Sequence, residues 1–132
     1  MFHSFENFNE RGYADLKSKG IRPRRNEIYL ANLPATSASV QYGKRPVFIV
    51  QNNTGNIYSP TTIVVPMTSR IKPPMPTHVV LTSENGLNHS STLLCEQIMT
   101  VATELLVKKL GEITDRSILC EINEALKCSL SL

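Results

Sequence analysis

Two short apolar runs constrain the fold of this chain more than any other feature: Lys44-Arg45-Pro46-Val47-Phe48-Ile49-Val50-Gln51-Asn52 and Ser59-Pro60-Thr61-Thr62-Ile63-Val64-Val65-Pro66-Met67-Thr68-Ser69. Each is rich in Val and Ile and each carries a proline near its start, the composition of a short buried strand. The Asn53-Thr54-Gly55-Asn56 cluster between them predicts a hairpin loop. In an antiparallel pair the start of the first strand lies beside the end of the second. Arg45 is therefore expected next to Thr68 and Ser69, so that one rim of a small sheet offers a guanidinium and two hydroxyls. Such a trio can hold a phosphate.

The rest of the chain divides around this pair. Glu27 to Asn32 alternates polar and apolar as a half-buried strand does. Pro34 to Gly43 has no period and is rich in small polar residues, which predicts a long loop ending beside Arg45. Pro73-Pro74-Met75-Pro76 predicts a second, stiffer loop next to Arg70 and Lys72. Further strands are expected at roughly 78–82, 92–95, 97–102 and 108–113. Beyond Thr114-Asp115, a candidate N-cap, the apolar residues Ile118, Leu119, Ile122, Ala125 and Leu126 fall at helical intervals. Half a dozen short strands with one terminal amphipathic helix predict a mainly β fold, a small and strongly curved sheet or barrel. Upstream, Phe2, Phe5 and Phe8 recur every three residues between Met1 and Gly20, the pattern of a short helix or ordered arm. Ile21-Arg22-Pro23 reads as its linker, because the residue before proline favours extended backbone.

Composition narrows the class. A chain of 132 residues is one domain by length. The net charge of +3 is modest, but Arg22, Arg24, Arg25, Lys44, Arg45, Arg70 and Lys72 lie at strand ends or loops of the first half. Glu84, Glu96, Glu104, Glu112, Asp115, Glu121 and Glu124 fall in the second. If the first-half loops share a face, that face is positive. Cys95, Cys120 and Cys128 form no Cys-x-x-Cys pair and have no His at metal spacing, which argues against a disulfide framework or zinc site and for three half-buried thiols. No apolar stretch reaches membrane-spanning length and no signal-peptide order is present, so the sequence reads as cytosolic.

The signatures of metal, nucleotide and acyl-transfer chemistry are missing from the sequence: no close carboxylate pair, no His- or Cys-rich cluster, no Gly-rich phosphate loop before a helix, no G-x-S-x-G elbow. What remains is Arg45 with Thr68 and Ser69, with His78 nearby if the sheet curls. His78 has a pKa in the range useful for acid–base work, although a lone His at a strand start is more often a hydrogen-bonded structural residue. His3 and His89 read as surface residues.

The order and spacing of these motifs resemble the MazF/PemK family of toxin endoribonucleases. The resemblance is carried by Glu27-Ile28-Tyr29-Leu30-Ala31-Asn32-Leu33-Pro34, the Arg45-Pro46-Val47 strand ending in Gln51-Asn52, and the Ser59-Pro60-Thr61 strand ending in Thr68-Ser69. Pro76-Thr77-His78-Val79, Glu84-Asn85-Gly86-Leu87, Leu94-Cys95-Glu96-Gln97-Ile98 and Ile122-Asn123-Glu124-Ala125-Leu126 extend it. It implies an N-terminal extension over residues 1–24 and a domain over 25–132 with an SH3-like β-barrel of the PemK/CcdB type. It further implies a metal-independent, cofactor-free, sequence-preferring cut of single-stranded RNA by 2′-hydroxyl attack, leaving 2′,3′-cyclic phosphate and 5′-hydroxyl ends. Arg45 and Thr68 map to the family's catalytic residues. Gln41, Tyr42, Lys44, Ser69, Arg70, Lys72 and His78 are the residues expected to meet the RNA, Tyr42 by stacking. The implied partners are a cognate antitoxin, an acidic disordered segment covering the RNA groove, and a second copy in a homodimer; no membrane is implied. The chain departs from the family's pattern in the loop Ala38-Ser39-Val40-Gln41-Tyr42-Gly43, at Arg70 and at Met99, which bears on the RNA sequence cut. Two other readings share the fold: a CcdB-like gyrase-binding toxin, whose C-terminal aromatic tip has no counterpart in Cys128-Ser129-Leu130-Ser131-Leu132, and a catalytically quiet RNA-binding regulator.

Overall fold

A computed structural model describes residues 22–82, 87 and 89–132. The expected N-terminal arm lies outside them. The described chain forms strands β1 (Glu27–Leu33), β2 (Gly43–Ile49), β3 (Thr61–Thr68), β4 (His78–Leu81), β5 (Ser91–Leu94), β6 (Met99–Ala102) and β7 (Leu106–Glu112). Helix α1 (Asn53–Tyr58) separates β2 from β3, a short 3-10 turn spans Thr103–Leu105, and α2 (Arg116–Leu130) closes the chain.

The strands follow the order β4-β5-β3-β2-β1-β7, all described pairings antiparallel, with β6 also on β3. The sheet curves but does not close, because the path ends at β4 and β7. β3 holds the arrangement together. One edge pairs with β2, Val47 opposite Pro66 and Ile49 opposite Val64. The other pairs with β6 at Thr61 to Val64 and with β5 at Met67 and Thr68. β5 and β6 thus lie end to end along β3, interrupted at residues 95–98.

Why the two central runs are apolar without alternation follows from this layout. Phe48, Val65 and Met67 face one core with Val79, Leu81, Leu93, Ile122 and Ala125, while Val47, Ile49 and Val64 face another with Tyr29, Ala31, Val101 and Leu106. A strand covered on both faces must be apolar at consecutive positions. α2 covers the first core; Asp115 caps it, its side chain accepting from the Ser117 N–H at 2.8 Å. Ile122 and Ala125 are buried as the periodicity predicts, and a side chain of the size of Ile122 contributes about 1.5–3 kcal/mol.

The expected hairpin loop at residues 53–56 is instead the first turn of α1. Asn52 takes the N-cap, its side chain accepting from the Gly55 N–H at 2.8 Å. The local polar residues then find internal partners. Asn56, 1% exposed, accepts from Thr62 Oγ1 at 2.7 Å and Gln51 Nε2 at 3.0 Å and donates to the Gln51 carbonyl at 3.0 Å. Asn and Gly signal a turn, and a capped helical turn uses the same residues.

At the other side of the sheet Glu27, buried, accepts from the Arg24 N–H at 2.7 Å and the Tyr29 hydroxyl at 3.2 Å and pairs with Lys109 at 2.8 Å. Burial and the neighbouring Glu27 push Tyr29 up to about 12. Hydrogen bonding and attraction to Glu27 likewise raise Lys109. Cys95 is buried, and burial with the adjacent Glu96 pushes its thiol up to about 12. Cys120 and Cys128 are exposed on α2, so the thiols are not uniformly half-buried as expected.

Two outcomes test this packing. Asn56→Ala removes the partner of the Thr62 hydroxyl and of the Gln51 carbonyl, while Gln51 Nε2 keeps the Thr61 carbonyl at 3.0 Å, and urea denaturation is expected to register a loss of about 1–3 kcal/mol for each buried group orphaned. The raised values of Tyr29 and Lys109 mean that the folded state retains protons the unfolded chain releases. Their contribution is full below the ordinary tyrosine and lysine values of 10.0 and 10.5 and is lost as pH rises through the folded ones. Thermal melts between pH 9 and 12 therefore show falling stability, and Glu27→Gln flattens that fall while lowering stability at neutral pH.

Candidate functional site

Prolines 46 and 66 each remove a backbone donor where β2 and β3 run together, and the ladder between these strands ends at Val47 opposite Pro66. Extended by two residues, the same antiparallel register would set Arg45 opposite Thr68, on the sheet face of Val47 and Ile49. The ladder itself stops short of them: Thr68 pairs with Thr92 of β5 and is not among the described residues that line the two cavities at Arg45.

A cavity of about 390 Å³ opens at this rim between the loop residues Ala38 to Tyr42 and the cations Arg45, Arg70 and Lys72. Among the described residues no carboxylate lines it. Arg45 donates from Nε to the Tyr42 carbonyl at 2.6 Å, which fixes the guanidinium plane against its own loop. Among the described residues its two η nitrogens have no hydrogen-bond or ion-pair partner. They form a rigid fork suited to two phosphoryl oxygens. Tyr42, 51% exposed, presents a ring at the edge of the cavity.

Thr68 is 2% exposed, and its Oγ1 accepts from the Arg70 N–H at 3.2 Å. That bond uses a lone pair and leaves the hydroxyl proton free to donate. Ser69 and Lys44 line a second cavity, of about 350 Å³, and Arg45 borders both. Gln41 sits in the loop wall with Oε1 buried and unpartnered among the described residues.

His78 is not brought to this rim. Its Nε2 lies 3.0 Å from Glu96 Oε2, its side chain is 7% exposed, and it lines a separate groove of about 930 Å³ against α2 with Pro76, Val80 and Cys120. Burial acts to raise the Glu96 pKa, but hydrogen bonds from His78, its own backbone and Thr77, with the charge of His78, together hold it below the usual value. The pair fastens the start of β4 to the turn after β5. This is the structural role weighed for a lone strand-start histidine.

The basic first-half residues also do not share one face. Lys44, Arg45, Arg70 and Lys72 gather at the rim. Arg25 precedes β1 at the opposite end of the β2 ladder, where its guanidinium donates to the Val50 carbonyl. Strand direction decides this: β1 starts where β2 finishes.

Gln97 is a positioning residue outside the set of candidate site residues expected from the sequence. It stands in the break between β5 and β6, accepts from the Gln41 N–H at 3.0 Å and donates from Nε2 to the Ser39 carbonyl at 3.1 Å. Both ends of one amide thus hold a loop more than fifty residues away in sequence. Its signal in the sequence was its place in Leu94-Cys95-Glu96-Gln97-Ile98, one of the motifs that carry the family resemblance. Gln97→Ala is expected to speed amide exchange across residues 38–42 without changing the global melting temperature by more than a few degrees, as hydrogen-exchange mass spectrometry will show.

The family model for PemK-like, MazF-like toxins of type II toxin–antitoxin systems matches residues 24–130. An endoribonuclease MazF of Staphylococcus saprophyticus is 45% identical over 111 residues, 83% of this chain and 92% of that protein. Among solved structures, a mycobacterial endoribonuclease in complex with its cognate antitoxin superposes with a TM-score of 0.70 at 28% identity, covering 83% of this chain and 96% of that one. MazF from Deinococcus radiodurans shares the fold at a TM-score of 0.74 and 21% identity, covering 85% and 99%. A mostly antiparallel curved sheet with a C-terminal helix, two cationic cavities meeting at Arg45, and this extent of likeness place the chain in the family of PemK-like, MazF-like toxins of type II toxin–antitoxin systems.

Proposed function

We propose that the chain, an endoribonuclease toxin by its family and its 45% identity to a MazF endoribonuclease, cuts single-stranded RNA without a metal at the Arg45 rim. The observation that carries this reading is the Arg45 fork, held by the Tyr42 carbonyl with both η nitrogens unclaimed among the described residues, in a cavity whose charged lining residues among those described, Arg45, Arg70 and Lys72, are all cations. RNA supplies its own nucleophile. The 2′-hydroxyl attacks the adjacent phosphorus, the P–O5′ bond breaks, and the products carry a 2′,3′-cyclic phosphate and a 5′-hydroxyl. Arg45 stabilises the charge added to the phosphoryl oxygens, and the Thr68 hydroxyl donates to one of them and fixes its orientation. A guanidinium, which stays protonated at any cellular pH, is a poor base. Its main contribution is therefore charge stabilisation, with the approach of Arg45 to O5′ assisting protonation of the leaving group.

Gln41, Tyr42, Lys44, Ser69, Arg70 and Lys72 are the groups in reach of bases and phosphates on either side. Tyr42 stacks an unstacked base, and Arg70 and Lys72 hold neighbouring phosphates. Because cations dominate the cleft, a cognate antitoxin would occupy it best with an acidic segment that folds on binding. The likeness to a mycobacterial endoribonuclease solved with its cognate antitoxin supports such a partner. A homodimer is proposed on the family resemblance.

Purified protein incubated with a long mixed-sequence RNA in EDTA, followed by end mapping, tests the reading. Cutting is expected to persist in EDTA and to stop when the nucleotide 5′ of the cut is 2′-deoxy. Arg45→Ala is expected to lower the rate by roughly 10²–10³-fold, the range for losing one transition-state charge stabiliser. Products ending in a 3′-hydroxyl, or full activity in Arg45→Ala, would overturn the mechanism.

A further inference from the structure

The second cavity at the rim has a composition that the phosphate site alone does not require. Lys44, Arg45 and Lys108 line it together with apolar Leu30, Pro46 and Leu110 and with His89, and among the described residues no carboxylate does. At about 350 Å³ it falls in the size range of small-molecule sites, about 300–1,000 Å³.

Lys108 is aimed there by a strand irregularity. β1 pairs with β7 through Leu30 opposite Lys108 and Ala31 opposite Leu106, a register shift that passes over Val107. In a regular strand Leu106 and Lys108 would point to the same face. The shift sends Leu106 into the buried core beside Ala31 and Lys108 to the face of Leu30 and Pro46, where Lys44 also lies two residues from Pro46. Bulges commonly re-aim a side chain beside a functional site. The neighbouring Lys109 is paired with Glu27, whereas Lys108 and Lys44 have no ion-pair partner among the described residues.

We propose, resting on the ribonuclease reading above, that this cavity is a second nucleotide subsite: the nucleotide next to the cut linkage lays its base on Leu30, Pro46 and Leu110 while its phosphate meets Lys108 and Lys44. Arg45, which borders both cavities, stands at the boundary between the two nucleotides and holds the phosphate that joins them. Lys108 is a substrate-positioning residue for RNA, selected by the β7 bulge.

The probe is an oligoribonucleotide spanning a mapped cut, made uncleavable by a 2′-deoxy nucleotide at the reacting position, with Kd measured across a salt series. Lys108→Ala is expected to weaken binding by roughly five- to tenfold at low salt and to reduce the log–log salt slope by about 0.7, the value for one phosphate contact on a single strand. Lys108→Arg restores both, and Lys109→Ala leaves both near native. Removing nucleotides one at a time from each end produces one step of lost affinity in the native protein that is absent in Lys108→Ala. If the native protein cuts RNA but Lys108→Ala keeps native Kd, slope and truncation profile, the subsite falls and the ribonuclease reading stands. Equal losses in the Lys108→Ala and Lys109→Ala proteins indicate diffuse attraction and also overturn the subsite. A native protein that neither binds nor cuts RNA overturns both.

Discussion

The pairing of β3 along both of its edges is the constraint on which the rest of the structure depends. β2 occupies one edge and the end-to-end strands β5 and β6 the other. Because both faces of this centre are covered, consecutive residues of Val47–Ile49 and Val64–Val65 are buried in alternate cores. Shifting the β2–β3 register by one residue would exchange those two sets and put Arg45 on the opposite face from Thr68. Burial of the hairpin therefore fixes the site geometry as firmly as it fixes the fold.

Irregularities in the sheet then convert this rigid centre into a cleft. Pro46 and Pro66 sit where the β2–β3 ladder gives out, the break at residues 95–98 exposes Gln97 to the loop carrying Ser39 and Gln41, and the register shift at Val107 separates Leu106 from Lys108. Each interrupts backbone pairing near the same rim. Regular pairing would have satisfied those groups within the sheet and left fewer side chains to meet a ligand. The cost of interruption is kept small because side chains take over, as where the Gln97 amide satisfies a donor and an acceptor of the loop.

Electrostatics reinforces the division of labour. The carboxylates that belong to the fold are occupied at other positions: Glu27 with Lys109, Arg24 and Tyr29, and Glu96 with His78 and Thr77. Neither lines the cavities at Arg45. Among the described residues, a phosphate approaching the rim meets cations without competing carboxylates, in a recess where the interaction is less screened than on a flat surface.

The sequence alone determined the two apolar strands, their antiparallel pairing and the capped amphipathic helix from Asp115, because each follows from local periodicity or from antiparallel geometry. It also carried the family resemblance in motif order. It misread Asn53 to Asn56, since the residues that favour a hairpin turn also cap and start a helix, and the choice rested on Thr62 and Gln51 burying Asn56. The separation of His78 from Arg45, the reach of Gln97 to the loop and the aim of Lys108 were decided only by tertiary structure. Each depends on sheet curvature or a register shift, which accumulate from backbone twist and pairing between distant segments and leave no periodic trace along the chain.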